Sequence, residues 1–485
     1  MSRHQKILLI ILILTALLRA PSWFEPWWYG DEGISGAVAQ AINAGGLLYA
    51  DAFDNKPPLT YLFFAVGLKL FGPSLAAIHF LTTVLVLFSQ FGLYLLAKKI
   101  SPAAGLGAAA ILGLLLATPL LEGNSTNGEI LMLGAVIWGF VVGWDHLKKD
   151  TLGLRDRIFL AGAGFLFGLG MMFKFPGVFD FASFAALLLL GWGSFKLRLT
   201  KVLLATGGFV IPYGAGALFF LTNGRLGDYL SSTFFGNVSY VGFGNYFLIP
   251  QGLLLVKALP VVTILFFALK HRDLVLRYPI FWLGLLWLSL AAYGALLGGR
   301  AYNHYFIQTV PALSLCLAAL IWGQVRYRRA ALTLAGTVLL ILGFYFARTA
   351  YLGPNYYSNF LDYVSGQKSE QDYRNNFDQF VDRDYKVAEY LKSGSTRSEP
   401  VLIWSNNAQI YVLSERLSVS KYFAAYLAVK IARDEDEVVR RTEEKRPKFI
   451  VVVPSEPLPS GLIEIISSSY QQEITISDAT IYRRR

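Results

Sequence analysis

The chain of 485 residues is 55% hydrophobic and only 15% charged, with a mean hydropathy of +0.48. Soluble domains use about 25% charged residues, so these values exclude an ordinary soluble protein and indicate an integral membrane one. The net charge of +11 would suggest nucleic acid in a soluble chain, but here the basic residues cluster in short connectors between apolar runs, as the positive-inside rule describes. A single cysteine, Cys316 within an apolar run, excludes an internal disulfide framework and counts against metal binding through thiolates.

The first apolar run, 7–20, follows Arg3, His4 and Lys6. It resembles a signal peptide, but no small-residue cleavage site follows it, and Arg19, Pro21 and the tryptophans beyond read as an interfacial end, so it is expected to be a retained anchor. Further runs, each of about 17 to 22 residues and long enough to cross the hydrocarbon core, cover 76–97, 103–120, 130–146, 158–173, 176–192, 202–221, 252–269, 279–297, 305–322 and 331–346. With the anchor they make eleven spans. Basic clusters at Lys98-Lys99, 148–157, 196–201, 270–277 and 326–329 fall at every second connection. They share the face of the basic N-terminus, which is expected to be cytoplasmic. The loops 27–72, 122–128, 222–251 and 298–304, and the C-terminal segment, then lie on the outer face.

After Phe346 the composition turns polar. A helix is predicted over 378–392, a buried strand over 401–404, a charged helix over 434–445 and a second strand over 449–453 ended by Pro454. Helices alternating with continuous apolar strands suggest a small α/β domain outside the membrane. The division expected is a membrane module over 1–350, with its first outer loop at 25–75, and a soluble domain over 351–485. The segment 405–416 reads as a strand-to-helix turn or as a substrate contact.

The first outer loop is the most chemically loaded connector. Connections between helices usually need about 2 to 8 residues, whereas this one holds Asp31, Glu32, Asp54, Asn55, and Lys56 before Pro57-Pro58. A helix is predicted over 33–43, stopped at Gly45-Gly46, and another over 59–70 beginning at the proline pair. Asp31 is then either a helix cap, worth about 1 kcal/mol, or a general base; residue chemistry leaves both readings open. Lys56 is either a snorkelling surface residue or, favoured here, a cation held at a positively polarised helix start to bind an anion. Three further outer sites carry ionisable groups: Glu129 where the fourth span begins, Lys174 in the turn 173–177, and Arg300, Tyr302, His304 and Tyr305 at the start of the tenth. An arginine and a histidine at one depth suit a phosphate, and ionisable residues at membrane depth are functional candidates.

Together the residues DEG (31–33), FDNKPPL (53–59), NGE (127–129), FKFPG (173–177) and GRxxxHYxxQxxP (299–311) resemble the glycosyltransferase C superfamily, and within it the bacterial branch related to protein O-mannosyltransferases and the aminoarabinose transferase of lipid A. The resemblance implies an α-helical polytopic membrane enzyme of about 11 spans with a small C-terminal α/β extracytoplasmic domain, in a bacterial cell membrane. Such an enzyme takes a sugar from a polyprenyl-phosphate carrier and passes it, with inversion, to a lipid, glycan or protein acceptor. It implies Asp31 as catalytic base with Glu32 as understudy; Lys56, Lys174, Arg300, His304 and Tyr305 around the donor phosphate; and Asp54, Asn55, Tyr61 and Glu129 shaping the site. The branch carries a glutamate before its KP pair, where this chain has Asn55, and Asp54 is displaced by one, which puts a metal seat there in doubt. A lipid monophosphate can be held by lysine, arginine and histidine, so no cofactor is required and a divalent ion is not indicated. The alternative is a transporter or lipid flippase, or a scaffold whose outer domain binds a partner, but internal repeats and midplane helix breaks, the marks of transporters, are not evident.

Overall fold

The computed structural model describes residues 2–236, 254–300, 302–323 and 328–485. Parts of two predicted features, the loop 222–251 and the cluster 326–329, and the first two residues of the run 252–269 lie outside the described residues. The chain forms two compact units. One comprises Met1–Ala20, Phe80–Thr222 and Tyr240–Gly353; the other comprises Pro21–His79, Asn223–Ser239 and Pro354–Arg485. The loop between the first two predicted spans thus folds in the same unit as the C-terminal segment.

All eleven predicted spans are helices: α1 (Arg3–Arg19), α4 (Leu75–Ala97), α5 (Pro102–Ala117), α6 (Gly128–Trp144), α7 (Leu154–Phe173), α8 (Gly177–Leu190), α9 (Phe195–Thr222), α10 (Leu254–Lys270), α11 (Pro279–Leu297), α12 (Val310–Trp322, entered through a 3₁₀ turn, Asn303–Thr309) and α13 (Arg328–Thr349). Seven of the stretches are long and apolar enough to cross a membrane unaided, whereas α5, α6 and α8 are shorter apolar helices. Their ends are set locally. Ser101 accepts from the Ala104 amide ahead of Pro102, and Asn127 accepts from the Ile130 amide to start α6. Apolar on every side, α6 is buried almost throughout and forms the interior of its unit. At the periphery, α13 leaves Leu334, Leu340, Ile341 and Phe344 exposed, the surface expected of a helix facing lipid. Helices α7 and α9 meet through small residues, because a Cβ on Gly164 would overlap the Ala205 carbonyl and one on Gly208 the Ala161 carbonyl.

Helix C-termini in this unit are held by cations from elsewhere in it. Arg19, fully buried, donates to the carbonyls of Leu116 and Gly123 and to Thr83. Lys201 donates to Leu147 O, Arg272 to Leu190 O and Gly191 O, and Lys257 to Leu296 O. The last carbonyls of a helix lack intrahelical donors and carry the negative end of its dipole. An unmet one in hydrocarbon costs several kcal/mol, so part of the chain's positive surplus stabilises the bundle.

In the other unit, α2 (Gly30–Asn43) and α3 (Pro58–Phe71) follow the predicted helices, and Gly45 leaves α2 at φ 95°. The C-terminal segment contributes α14 (Val381–Gly394), β1 (Leu402–Trp404), α15 (Gln409–Ser414), α16 (Glu435–Lys445) and β2 (Phe449–Val452). To these it adds a hairpin that the sequence reading missed, β3 (Tyr470–Ile476) and β4 (Ala479–Arg484). The sheet order is β1-β2-β4-β3, with β1 and β2 parallel (Ile403 opposite Val451) and the other pairs antiparallel. The segment 405–416 is a strand-to-helix turn into α15, and α15 packs on α2. Gly33 is where they touch: a Cβ there would fall 2.7 Å from Gln409 Oε1 and 2.8 Å from the Gln409 amide nitrogen.

Candidate active site

Two clusters of ionisable side chains stand out, one in each unit. The first is built on α2. Its N-cap position is occupied by Tyr29 with no side-chain cap, so Asp31 is not the cap that one sequence reading allowed. Asp31 and Glu32, adjacent in the first turn, point to different surroundings. Glu32 is buried and its Oε1 meets Nε2 of His79 at 2.7 Å, while Nδ1 of His79 lies 2.5 Å from the Ser22 carbonyl. Asp31 keeps 29% of its side chain exposed and takes the Lys56 ammonium on Oδ1 at 3.1 Å. One helical turn therefore sorts the two acids into a buried anchor and an accessible carboxylate.

Lys56 also donates to Asp54 Oδ2 at 3.3 Å, and Asp54 Oδ1 accepts the Asn55 amide at 2.7 Å. The Tyr61 hydroxyl accepts the Lys56 amide, and Tyr49, held at φ 68°, donates its hydroxyl to the Lys56 carbonyl at 2.8 Å. Burial by itself would strip the proton from Lys56, but Asp31 and Asp54, with a smaller contribution from Tyr426, outweigh it and hold the ammonium charged well above the usual lysine range. Lys56 is thus neither a snorkelling residue nor a bare cation; its charge is met by two carboxylates. Tyr426 comes from the C-terminal segment, where its amide donates to Asn406 in the turn after β1.

The second cluster joins the turn after α7, the start of α6 and the 3₁₀ turn before α12. Lys174 pairs with Glu129 Oε1 at 3.0 Å and sits 5.2 Å from the Tyr305 ring centre. His304 Nδ1 meets Glu122 Oε2 at 2.8 Å, both residues being buried. Arg300 is half-buried. Glu129 Oε2, Asn127 Nδ2 and Ser125 Oγ are buried polar atoms with no hydrogen-bond partner among the described residues. Asn124, in the sequon-like 124–126, is buried too, so its amide is not accessible for modification; the second such triplet, 237–239, lies outside the described residues.

The expected residues therefore gather as Asp31, Asp54, Asn55, Lys56 and Tyr61 in one cluster and Glu129, Lys174, His304 and Tyr305 in the other. Sequence reasoning missed His79, Tyr426 and Glu122. A lone histidine inside the apolar run 75–97 was a usable signal for the first; nothing local marked the others. Among the described residues, no group of three or more His, Cys, Asp or Glu side chains is arranged to hold a metal ion.

Residues 55–213 match the model of the family dolichyl-phosphate-mannose-protein mannosyltransferase, and residues 382–485 match that of the C-terminal domain of the competence-induced protein Ccs4. Among solved structures the chain is similar to ArnT from Cupriavidus metallidurans bound to undecaprenyl phosphate, at 14% identity and a TM-score of 0.58, covering 99% of this chain and 98% of that one. It is also similar to the archaeal oligosaccharyltransferase AglB from Archaeoglobus fulgidus in complex with an inhibitory peptide and a dolichol-phosphate, at 13% identity and a TM-score of 0.50, over 93% of this chain and 69% of that one. No curated protein matches in sequence. Along nearly its whole length this multi-pass membrane protein therefore has a glycosyltransferase C-like fold, and residues 55–213 carry the mannosyltransferase family match.

Proposed function

We propose that this chain transfers a sugar from a polyprenyl-phosphate carrier to a lipid, glycan or protein acceptor on the outer face of a bacterial cell membrane, inverting the anomeric centre. The observation that carries the reading is the division of labour between Asp31 and Glu32: one acid is locked on His79, the other is accessible and held by Lys56. The ligands of the structural relatives, undecaprenyl phosphate in ArnT and dolichol-phosphate with a peptide in AglB, support a polyprenyl-phosphate donor over the transporter alternative.

In the reaction proposed, an acceptor hydroxyl oxygen attacks the anomeric carbon as the bond to the phosphate oxygen breaks. Asp31 takes the acceptor's proton, a role worth about 10²- to 10⁴-fold in rate. The carrier leaves as a polyprenyl monophosphate, and Lys174, Arg300 and His304 are the cations proposed to meet its negative charge. The contact with Lys56 orients the base. Asn55 and Tyr61 shape the surroundings of Lys56. These cations do for a monophosphate what a chelated divalent ion does for a nucleotide diphosphate.

The test is mass spectrometry of cell-envelope glycans from cells with the protein, without it, and with Asp31→Asn. Loss of one glycan unit in the last two, with the variant folded and present in the membrane, is the expected result and names donor and acceptor together. Unchanged glycans with Asp31→Asn remove Asp31 from the chemistry.

A further inference from the structure

The motif that opens the tenth span contains a glutamine, Gln308, to which the transfer chemistry gives no role. In the structure it is buried, and both of its amide hydrogens are spent within one unit: one on the Pro176 carbonyl at 2.9 Å, the other on Asp180 Oδ2 at 2.8 Å. Asp180 is a buried acid in α8 whose other oxygen accepts the indole N–H of Trp287, from α11, at 2.5 Å. Gly294, about two turns along α11 from Trp287, leaves room for the arrangement, since a Cβ there would fall 2.8 Å from Phe179 Cδ2, 3.3 Å from Gln308 Oε1 and 3.4 Å from Pro176 Cβ.

Position gives the arrangement its meaning. Pro176 belongs to the same tight turn as Lys174, and Gln308 follows Tyr305 by three residues in the same 3₁₀ turn. That turn therefore grips the other at two points: the Tyr305 ring beside the Lys174 ammonium, and the Gln308 amide on the Lys174 turn's backbone. An acid buried among apolar helices is expensive, and a neutral N–H donor on each oxygen is a costly way to brace a glutamine that only fills space. We propose that Gln308, braced by Asp180 and Trp287, is a positioning residue that sets the direction of the Lys174 ammonium toward the carrier's phosphate. This rests on the role assigned to Lys174 in the transfer reaction above.

The experiment is a double-mutant cycle on the full chain in lipid nanodiscs, with undecaprenyl monophosphate as the probe and the thermal midpoint recorded for each variant. Lys174→Ala and Gln308→Leu are each expected to weaken probe binding by about tenfold, the loss of roughly one charge-assisted hydrogen bond. The double variant is expected to bind no worse than Lys174→Ala, because a residue acting through Lys174 has nothing left to position. Additive losses, or unchanged binding by a folded Gln308→Leu, overturn the positioning role. Unchanged binding by Lys174→Ala overturns the carrier reading itself, which is a separate result from a separate variant. If Gln308→Leu does not fold, Gln308→Asn, one methylene shorter, removes the double reach while keeping the amide, and the same criteria apply.

Discussion

The Lys56 and Lys174 clusters use the same parts to different ends. Lys56 faces two carboxylates, Asp31 and Asp54, so its cluster is one negative charge in excess, and of the two Asp31 is the accessible one. Lys174 faces one carboxylate, Glu129, and the ring of Tyr305, so its cluster is balanced and one Glu129 oxygen is left without a donor among the described residues. A surplus of carboxylate suits taking a proton, and a balanced pair with hydrogen-bonding capacity to spare suits gripping a polar ligand. The difference teaches that the number of opposing charges around a lysine, rather than the lysine itself, decides what its site can do.

The comparison breaks most visibly at Asp31. Asp31→Asn is expected to slow transfer by about 10²- to 10⁴-fold while leaving the thermal midpoint near that of the parent; a rate within twofold of the parent would show that the accessible acid is not the base. His79→Leu acts on the buried acid instead. Removing one member of a buried, hydrogen-bonded pair costs about 3–5 kcal/mol, so this variant is expected to lose expression and thermal stability before it loses chemistry, and a well-folded, inactive His79→Leu protein would contradict that ordering. At the balanced cluster, Lys174→Ala is expected to raise KM for the donor by about tenfold or more with a smaller change in kcat, as steady-state kinetics would show.

Two smaller effects sharpen the picture. Asp384 binds Arg383, Asn407 and Gln409, and so fastens the turn that carries α15 against α2. Burial pushes its carboxyl up to about 6 against the pull of Arg383 and its amide partners. Its folded value lies above the ordinary 3.8, so the native state holds the proton more tightly than the unfolded chain. Its contribution is present at low pH, declines as pH rises from about 4 to about 6, and is flat above that, with a span of about 3 kcal/mol at most. Thermal midpoints between pH 4.5 and 7 should show this decline, and Asp384→Asn should flatten it. The smallest expected effect is that of a chelator: under the proposal that lysine, arginine and histidine hold the phosphate, excess EDTA should leave the transfer rate unchanged.

Much of this architecture was legible in the sequence. The eleven apolar runs became eleven helices, because a run that fills the hydrocarbon thickness must satisfy its backbone internally. The helices 30–43 and 58–71, the two parallel strands and α16 also lay close to their predicted places, since apolar periodicity, a proline pair and a glycine stop are local signals. The hairpin β3–β4 was missed because β3 is mostly exposed and polar, so its sequence carries no continuous apolar run.

What the sequence determined by itself was the membrane class, the helices and the short inventory of ionisable residues beside them. Only the tertiary structure decided how that inventory is shared out. It buried Glu32 on His79 and left Asp31 accessible, gave Lys56 two carboxylates, matched Lys174 to Glu129 and His304 to Glu122, and folded the loop between the first two spans into one unit with the C-terminal segment. Each of these joins residues far apart along the chain, or separates neighbours by the 100° step of one helical residue. Hydrophobic periodicity specifies which face a side chain takes, but the partner waiting on that face is set by packing between distant elements.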